Sequence, residues 1–280
     1  SSAEVAMRGR RGIEVFMLRR NLRSDFVGGA HVFPGGAVDP ADRAADLEPL
    51  CVGRTDADAS ARLGIDRGGL AYWVAAIRES FEEAGVLLAV DADGYVDLDG
   101  AGSDRWVAHR TAVDTGTRRL VEVCQEEALR LNVGAMFYFG HWITPEGSPR
   151  RYDTRFFLAA APERQTPVHD DHEVIANEWV RPAEALDRVA AGELTMMPPT
   201  VSCLRAIARF ATVDEALAAA AEVVDVPAIL PRLVQVDGGV RIALPGDPNY
   251  DAPAGVPDAA VDWSSFAAVR TTALDEDPAG

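Results

Sequence analysis

The most informative segment of this 280-residue chain reads Arg78-Glu79-Ser80-Phe81-Glu82-Glu83-Ala84-Gly85-Val86. This segment overlaps the end of residues 70–84. In that stretch, apolar side chains recur at spacings of one, three and four, a pattern that predicts an amphipathic helix. These side chains are Trp73, Val74, Ile77 and Phe81. Gly85 stands where a helix commonly ends on a left-handed glycine. The segment is therefore predicted to be the end of a helix with one side anchored in a core.

Three carboxylates of this helix lie opposite its apolar stripe. At about 100° per residue they fall within an arc of about 100°, and they are Glu79, Glu82 and Glu83. Such oxygen ligands suit Mg²⁺ or Mn²⁺ and metal-assisted phosphoryl chemistry. The simpler interpretation is a solvated helix face, where like charges cost only tenths of a kcal/mol. In a cleft, two carboxylates about 5 Å apart repel by roughly 3 kcal/mol at an effective dielectric of 20, which favours a bound cation.

The same segment resembles the second half of the Nudix box, G-x5-E-x7-R-E-U-x-E-E-x-G-U, where U is a bulky aliphatic residue. Upstream, Phe33-Pro34-Gly35-Gly36 resembles the strand end that precedes the box, and Gly36 matches its first glycine. Asp42 stands where the first glutamate is expected, 35 residues separate it from Arg78 instead of seven, and Ser80 replaces the aliphatic residue. A box split by an insertion resembles a longer Nudix branch whose animal members are organellar coenzyme A diphosphatases.

Further segments also resemble that branch, and the likeness covers about residues 1–210. They are His141-Trp142-Ile143-Thr144-Pro145, Arg151-Tyr152-Asp153-Thr154-Arg155-Phe156-Phe157, and Glu178-Trp179-Val180 with Pro182. The resemblance implies an α/β fold, the Nudix α/β/α sandwich with a mixed β-sheet. We expect the Nudix domain at 1–225, with helical or loop insertions at about 43–69 and 91–132.

The resemblance also implies roles for single residues. Metal ligands would be Glu79, Glu82, Glu83 and the Gly36 carbonyl, holding Mg²⁺ or Mn²⁺. Arg78 would be a catalytic-site residue that orients helix carboxylates such as Glu82 through ion pairs. The attacking water needs a base, and two sources remain open. One is Glu79; the other is an acid in the loop after Phe157, where the candidates are Glu173, placed first, and Glu163, Asp170 and Asp171.

The activity implied is metal-dependent hydrolysis of the diphosphate bond in a nucleoside-diphosphate-linked small molecule. The preferred substrate is coenzyme A or an acyl-CoA, with 3′-phospho-AMP and a phosphopantetheine as products. Two alternatives remain open: a pyrophosphatase of ADP-ribose or NADH, and a non-catalytic Nudix-like module that senses a nucleotide. The intact Arg78-Glu79 and Glu82-Glu83 pairs argue against the sensor, which has no need of metal carboxylates.

Composition limits the partners. The chain has 27 basic residues, all arginine, against 44 acidic ones, so its net charge is −17. That charge argues against nucleic acid and against an anionic membrane surface. Cys51, Cys124 and Cys203 form no C-x-x-C pair and are predicted to be reduced thiols of a cytoplasmic protein. No apolar stretch approaches the roughly 18 residues of a membrane span.

Periodicity elsewhere predicts the remaining elements. Residues 37–69 are polar and weakly periodic, so we expect a surface insertion near the substrate mouth and outside the core. Helices are expected within 103–131, at 182–191 and at 200–221; strands are expected at 2–7, 13–19, 86–90, 135–143, 154–160 and 173–180.

The C-terminal region, residues 226–280, is predicted to be a hairpin followed by a flexible tail. Strands at 233–236 and 240–244 flank Asp237-Gly238-Gly239, a turn sequence typical of hairpins. An isolated hairpin is marginal in water, so its apolar face must dock on its own chain or on a second subunit. A homodimer is favoured over a monomer on general grounds.

Overall fold

A computed structural model of the chain describes residues 1–9, 12–21, 29–43, 45–148, 150–168, 174–236, 239–247 and 250–251. Within these ranges, the strands are β1 (Ser2–Arg8), β2 (Glu14–Arg20), β3 (His31–Val32), β4 (Gly35–Gly36), β5 (Ala89–Val90), β6 (Arg130–Leu131), β7 (Phe137–Ile143), β8 (Asp153–Ala160), β9 (Val174–Val180), β10 (Ala228–Ile229), β11 (Arg232–Val236) and β12 (Gly239–Ala243). The helices are α1 (Asp56–Leu63), α2 (Leu70–Ala84), α3 (Ser103–Asp114), α4 (Leu120–Glu126), α5 (Pro182–Ala190), α6 (Pro198–Ile207) and α7 (Val213–Glu222). Short 3-10 turns lie at Pro40–Arg43, Glu48–Leu50 and Val133–Ala135.

The main sheet is mixed. Its long strands follow one another in the order β7, β8, β1, β2, β9, with the short β10 beside β7. The β1–β8 and β7–β10 pairs are parallel, and the others are antiparallel. β1 and β2 pair at Met7–Val15 and Arg8–Glu14 and then diverge. The segment 31–36 enters the resulting gap, where β3 pairs with β2 and β4 with β1.

Helices cover both faces of this sheet, because each long strand alternates between two apolar clusters. On one face, called the α2 face, Phe157 of β8 packs with Trp73 and Ile77 of α2. On the other, called the α6 face, Phe156 and Leu158 of β8 pack with α6 and α7. The α/β/α sandwich with a mixed sheet is confirmed. No described helix is long and apolar enough to cross a membrane.

The insertion at 43–69 is part of the core, and our expectation of a surface element there is wrong. Leu47, Cys51 and Ala59 are at most 8% exposed and belong to the cluster on the α2 face. A Cβ on Gly53 would lie 2.9 Å from the Gly134 Cα, so the backbones of two distant segments touch there. The insertion therefore packs as a structural layer over α2.

Two predicted elements differ in extent. The single helix expected at 200–221 is two helices, α6 and α7, separated by residues 208–212. The side chain of Thr212 accepts a hydrogen bond from the Glu215 amide and so begins α7 as a new helix. The strand expected at 86–90 is reduced to Ala89–Val90, which pairs with β6.

The predicted C-terminal hairpin is confirmed, and it docks on its own chain. β11 and β12 pair in antiparallel register from Arg232–Ala243 to Val236–Gly239. Leu233, Ile242 and Leu244 are at most 9% exposed and belong to the cluster on the α6 face. Residues 252–280, where a flexible tail was predicted, lie outside the described residues.

Candidate active site

The helix that carries the three carboxylates is fixed at both ends. At its start, the Asp56 carboxylate of α1 accepts hydrogen bonds from the Gly68 and Leu70 amides at 2.9 and 3.0 Å. At its end, Gly85 adopts a φ of 68° and its amide bonds to the Phe81 carbonyl. Such a left-handed residue is inexpensive only as glycine. Contacts thus hold α2 at both ends, and its bounds, Leu70–Ala84, are those predicted from the sequence.

One face of α2 borders a cavity of about 1000 Å³. Tyr72, Glu79 and Glu83 line it, because residues seven and eleven positions apart return to nearly the same side of a helix. Glu82 lies on the neighbouring side of α2, where its carboxylate is turned toward Arg78. Two of the three predicted carboxylates therefore face the cavity, and the third reaches the same cluster through Arg78.

The glycine pair of β4 lies directly against these carboxylates. The Gly35 amide donates a hydrogen bond to Glu83 Oε2 at 2.9 Å. A Cβ on Gly36 would lie 2.5 Å from both carboxylate oxygens of Glu79, a distance that real Cβ atoms do not reach. Pairing of Gly36 with Ser2 of β1 holds the loop in place. A side chain at position 36 would displace the Glu79 carboxylate, whereas a Cβ on Gly35 would collide with the backbone of Ser2 and Ala3.

Arg78 links the carboxylates of the cluster through ion pairs. Its guanidinium binds Asp42 through two hydrogen bonds of 2.9 and 3.1 Å. A third nitrogen lies 2.9 Å from Glu79 Oε1 and 2.7 Å from Glu82 Oε2. The carbonyl of Ala37 accepts a further bond at 2.8 Å. Asp42 is 4% exposed and does not line the cavity, so it serves as a buried anchor for Arg78.

Burial and the ion pairs of Arg78 shift the pKa values of this cluster in opposite directions. Burial alone lowers the pKa of Arg78, but Asp42, Glu79 and Glu82 raise it above its ordinary value. Burial raises the pKa of Glu82 to about 7; Arg78 opposes the shift and Glu79 adds to it. Partly buried carboxylates that crowd one another favour a bound cation.

Beyond α2, the ends of β7 and β8 supply another carboxylate to the cavity wall. Asp153 Oδ1 accepts from His141 Nε2 at 2.7 Å and from Arg155 Nη1 at 2.8 Å. Burial lowers the pKa of His141, with Asp153 opposing, so the ring is neutral at neutral pH and donates Nε2–H. The Arg155 guanidinium stacks 4.4 Å from the ring centre of Tyr72. These contacts fix Asp153 at the cavity rim.

Three comparisons with known proteins agree with this geometry. The family model described as the NUDT19 Nudix domain matches residues 65–207. The human acyl-coenzyme A diphosphatase NUDT19 is 30% identical to the chain, over 85% of the chain and 72% of that protein. The Gallus gallus and Xenopus laevis proteins of the same name are 30% and 27% identical. The chain belongs to the Nudix hydrolase family.

A solved structure supports the assignment at the level of the fold. The crystal structure of a Nudix hydrolase from Alicyclobacillus acidocaldarius is 27% identical, with a TM-score of 0.64. It covers 78% of this chain and 94% of that one. The Nudix fold and the identity as a Nudix diphosphohydrolase are therefore confirmed.

Of the residues predicted for the Nudix site, the structure brings Gly36, Arg78, Glu79, Glu82 and Glu83 into one cluster. Glu173, placed first among the loop acids, lies outside the described residues, as do Asp170 and Asp171. Glu163 is described and exposed, and it does not line the cavity beside α2. The choice of base between Glu79 and Glu173 therefore stays a prediction.

Ser80, the departure from the Nudix box, has a counterpart on β1. Glu4 is fully buried on the strand beneath α2, and burial raises its pKa to about 8, while the nearby Ser80 hydroxyl opposes the shift. A small hydroxyl at position 80 leaves room for this carboxyl, where a bulky aliphatic side chain would not. Glu4 was not singled out from the sequence, since the pattern of β1 does not show that this carboxyl faces a buried side.

Arginines on the cavity wall were also missed. Among the described residues, Arg20, Arg43 and Arg151 line the cavity, within a chain whose net charge is −17. Arg20 ends β2, Arg43 ends a 3-10 turn, and Arg151 precedes β8. These positions lie far apart in sequence, so a shared role could not be seen from spacing.

A second acidic group, in α3 and α4, is distinct from the Nudix cluster. Side-chain atoms of His109, Glu126 and Glu127 lie within 4.8 Å of one another. Arg118 already binds Glu126 at 2.6 Å, and Arg105 binds Glu127 at 3.2 Å. Because Arg105 and Arg118 already neutralise these carboxylates, the group is a poor metal site.

Proposed function

We propose that this Nudix hydrolase cleaves the diphosphate bond of coenzyme A or an acyl-CoA and releases 3′-phospho-AMP and a phosphopantetheine. The observation that carries the proposal is the composition of the cavity: α2 carboxylates on one wall and three arginines on the others. The relatives named acyl-coenzyme A diphosphatase support the choice of substrate.

The residues present fit a divalent metal. Glu79 and Glu83 offer carboxylate oxygens to the cavity, and Gly36 lacks the side chain that would separate its backbone from Glu79. An all-oxygen donor set of this kind suits Mg²⁺ or Mn²⁺. We infer that Glu79, Glu82, Glu83 and the Gly36 carbonyl would hold the metal. When bound, it would neutralise phosphate charge and activate water.

The chain's own residues then have defined tasks. Arg78 fixes Glu79 and Glu82 in place through ion pairs of 2.9 and 2.7 Å, and its charge opposes the burial that raises the pKa of Glu82. The base must take a proton from the water that attacks phosphorus; Glu79 is our first candidate because it borders the cavity, and Glu173 is the alternative. Arg20, Arg43 and Arg151 are placed to bind substrate phosphates, for which guanidinium groups are well suited.

Asp153 is proposed to bind a hydrogen-bond donor of the substrate. His141 and Arg155 both donate to Oδ1, so the carboxylate is held in place at the rim. Ionised carboxylates accept hydrogen bonds, and CoA carries hydroxyl, amide and amine donors. Asp153→Asn is therefore expected to raise KM more than it lowers kcat; an unchanged KM would remove Asp153 from substrate binding.

The test is a substrate panel with Mg²⁺ or Mn²⁺ and mass analysis of the products. We expect kcat/KM for CoA to exceed that for ADP-ribose and NADH, and 3′-phospho-AMP to be released. A higher kcat/KM for ADP-ribose or NADH would contradict the proposed substrate while leaving the diphosphatase activity intact.

A further inference from the structure

The cavity is built differently on its two sides. Its rim is formed by the ends of β7, β8 and β1, whose side chains alternate between the two faces of the sheet. In β8, Asp153 and Arg155 point toward the α2 face, where Arg155 stacks on Tyr72. Thr154 and Phe156 point toward the α6 face, where Phe156 packs in the second apolar cluster. The cavity thus continues around the strand ends from a polar side to an apolar side.

Apolar side chains form the wall on the α6 face. We call this part the apolar compartment; it is lined by Phe33, Trp142, Phe156, Met197, Pro198 and Leu233. Phe33 and Phe156 meet edge to face with ring centres 6.3 Å apart. Met197, at the start of α6, is half-buried, whereas Leu233 is 9% exposed and comes from the C-terminal hairpin. The compartment is therefore closed by a segment outside the region matched by the family model.

We propose that the apolar compartment binds the acyl chain of an acyl-CoA and that Met197 and Leu233 set the selectivity for chain length. This inference rests on the proposed function. Coenzyme A itself ends in a polar pantetheine arm with a thiol, so it gives no reason for an apolar compartment continuous with the phosphate site. A fatty acyl group attached to that thiol is apolar and does give a reason for such a compartment.

The size and continuity of the cavity support this occupant. At about 1000 Å³ it is at the upper end of ordinary ligand pockets, which hold roughly 300–1,000 Å³. The carboxylates of α2 and the apolar compartment share this single cavity, so one extended substrate can reach both. Each methylene group buried there strengthens binding by up to about fourfold.

The experiment compares kcat/KM for free CoA and for acetyl-, octanoyl- and palmitoyl-CoA, with Mg²⁺ present and thioester concentrations kept below micelle formation. In the wild-type protein, kcat/KM is expected to rise about tenfold or more from acetyl- to octanoyl-CoA, mainly through KM. Met197→Asp places a charge in the compartment, and Met197→Trp fills it. Both variants are expected to bring the octanoyl-to-acetyl ratio close to one.

Val224→Asp is the matched control, because Val224 is 90% exposed and does not line the cavity; it is expected to keep the wild-type ratio. The two Met197 variants differ in character, and their melting temperatures show which of them folds. An octanoyl-to-acetyl ratio near one in the wild-type protein would overturn this inference alone. The same holds if both Met197 variants fold and keep the ratio of the wild-type protein. Failure to hydrolyse either CoA or its thioesters would overturn the proposed function as well.

Discussion

Arg78 shows how one buried side chain organises a reactive cluster. Its guanidinium bonds to Asp42 on one side and to Glu79 and Glu82 on the other. The second carboxylate oxygen of Asp42 also accepts from the Asp39 amide at 2.7 Å, which fixes the anchor itself. Aspartate in place of glutamate therefore still binds Arg78 with both oxygens. The long insertion after Asp42 leaves this contact intact because folding brings the two residues together.

The metal assignment predicts how charge removal affects the α2 carboxylates. Glu82→Gln and Glu83→Gln are each expected to lower kcat by several orders of magnitude, because a neutral amide is a poor ligand for Mg²⁺. Melting temperatures in the absence of metal are expected to change little, since neither side chain belongs to the apolar core. Glu184→Gln, at a 68% exposed position on α5, is the control. Near-normal turnover in either variant would contradict its assignment as a ligand.

Glu4 predicts a pH dependence of stability. Its pKa is about 8 in the folded protein and near 4.5 in the unfolded chain, so folding favours the protonated form. The contribution of Glu4 to stability is therefore fully present below about pH 4.5 and falls by about 1.4 kcal/mol per pH unit until about pH 8. Glu4→Gln cannot ionise, and its advantage over the wild type is expected to grow between pH 5 and 8.

Denaturant unfolding at several pH values measures this difference. Glu184→Gln again serves as the control, because Glu184 is 68% exposed on α5 and lies outside the buried clusters. A wild-type-like pH dependence in Glu4→Gln would show that Glu4 is ionised in the folded protein.

Among single residues, the site residues that could be predicted from the sequence were those whose spacing along one helix fixes their relative positions. Glu79 and Glu83 share a helix, so their common face follows from the helical repeat. Asp153 and Arg43 reach the same cavity from β8 and from the turn after β4, and nothing local joins them. Glu4 was missed because strand periodicity distinguishes faces but does not reveal a carboxyl placed on a buried one.

Among the elements, the insertion before α2 has the clearest structural effect. Asp56, in the first turn of α1, binds amides at the start of α2, and Ser60 accepts from the Gly69 amide at 2.9 Å. A Cβ on Gly69 would lie 2.3 Å from the Ser60 amide nitrogen, so the two helices meet closely there. α1 therefore fixes the start of the helix whose other end carries the metal ligands.

Removing this cap tests the structural role of the insertion. Asp56→Ala leaves two amides at the start of α2 without a carboxylate and is expected to cost about 1–2 kcal/mol, a fall in Tm of about 2–8 °C. Asp66→Ala, at an exposed position in the same insertion, is the control and is expected to leave Tm unchanged. Equal Tm values for the two variants would show that α1 does not support α2.

Elements were predictable where a local repeat was long enough. α2 was predicted with its observed bounds, because its apolar stripe and Gly85 act within one segment. The insertion was misjudged because Leu47, Cys51 and Ala59 are widely spaced and are buried by partners far along the chain. α6 and α7 were merged because their alanine-rich sequences continue the helical pattern, and only the Thr212 cap separates them.

Across the whole molecule, the C-terminal region completes the fold rather than standing apart. β10 extends the main sheet through β7, and the hairpin adds Leu233, Ile242 and Leu244 to the cluster on the α6 face. The division of the chain at residue 225 stays a prediction, and so does the homodimer. The apolar face of the hairpin is buried within its own chain, so it is not available to a second subunit.

Deleting residues 226–280 tests both the contribution of the hairpin to stability and its role in a subunit interface. Each large apolar side chain lost from the cluster costs roughly 1.5–3 kcal/mol, so Tm is expected to fall substantially. The mass measured by light scattering is expected to show the same oligomeric state as the full chain, because the hairpin packs within its own chain. Truncation after residue 251, which removes the segment where the sequence predicts a flexible tail, is the control and is expected to keep the full-length Tm. If only the longer deletion converted a dimer to a monomer, the hairpin would contribute to a subunit interface despite its intrachain packing.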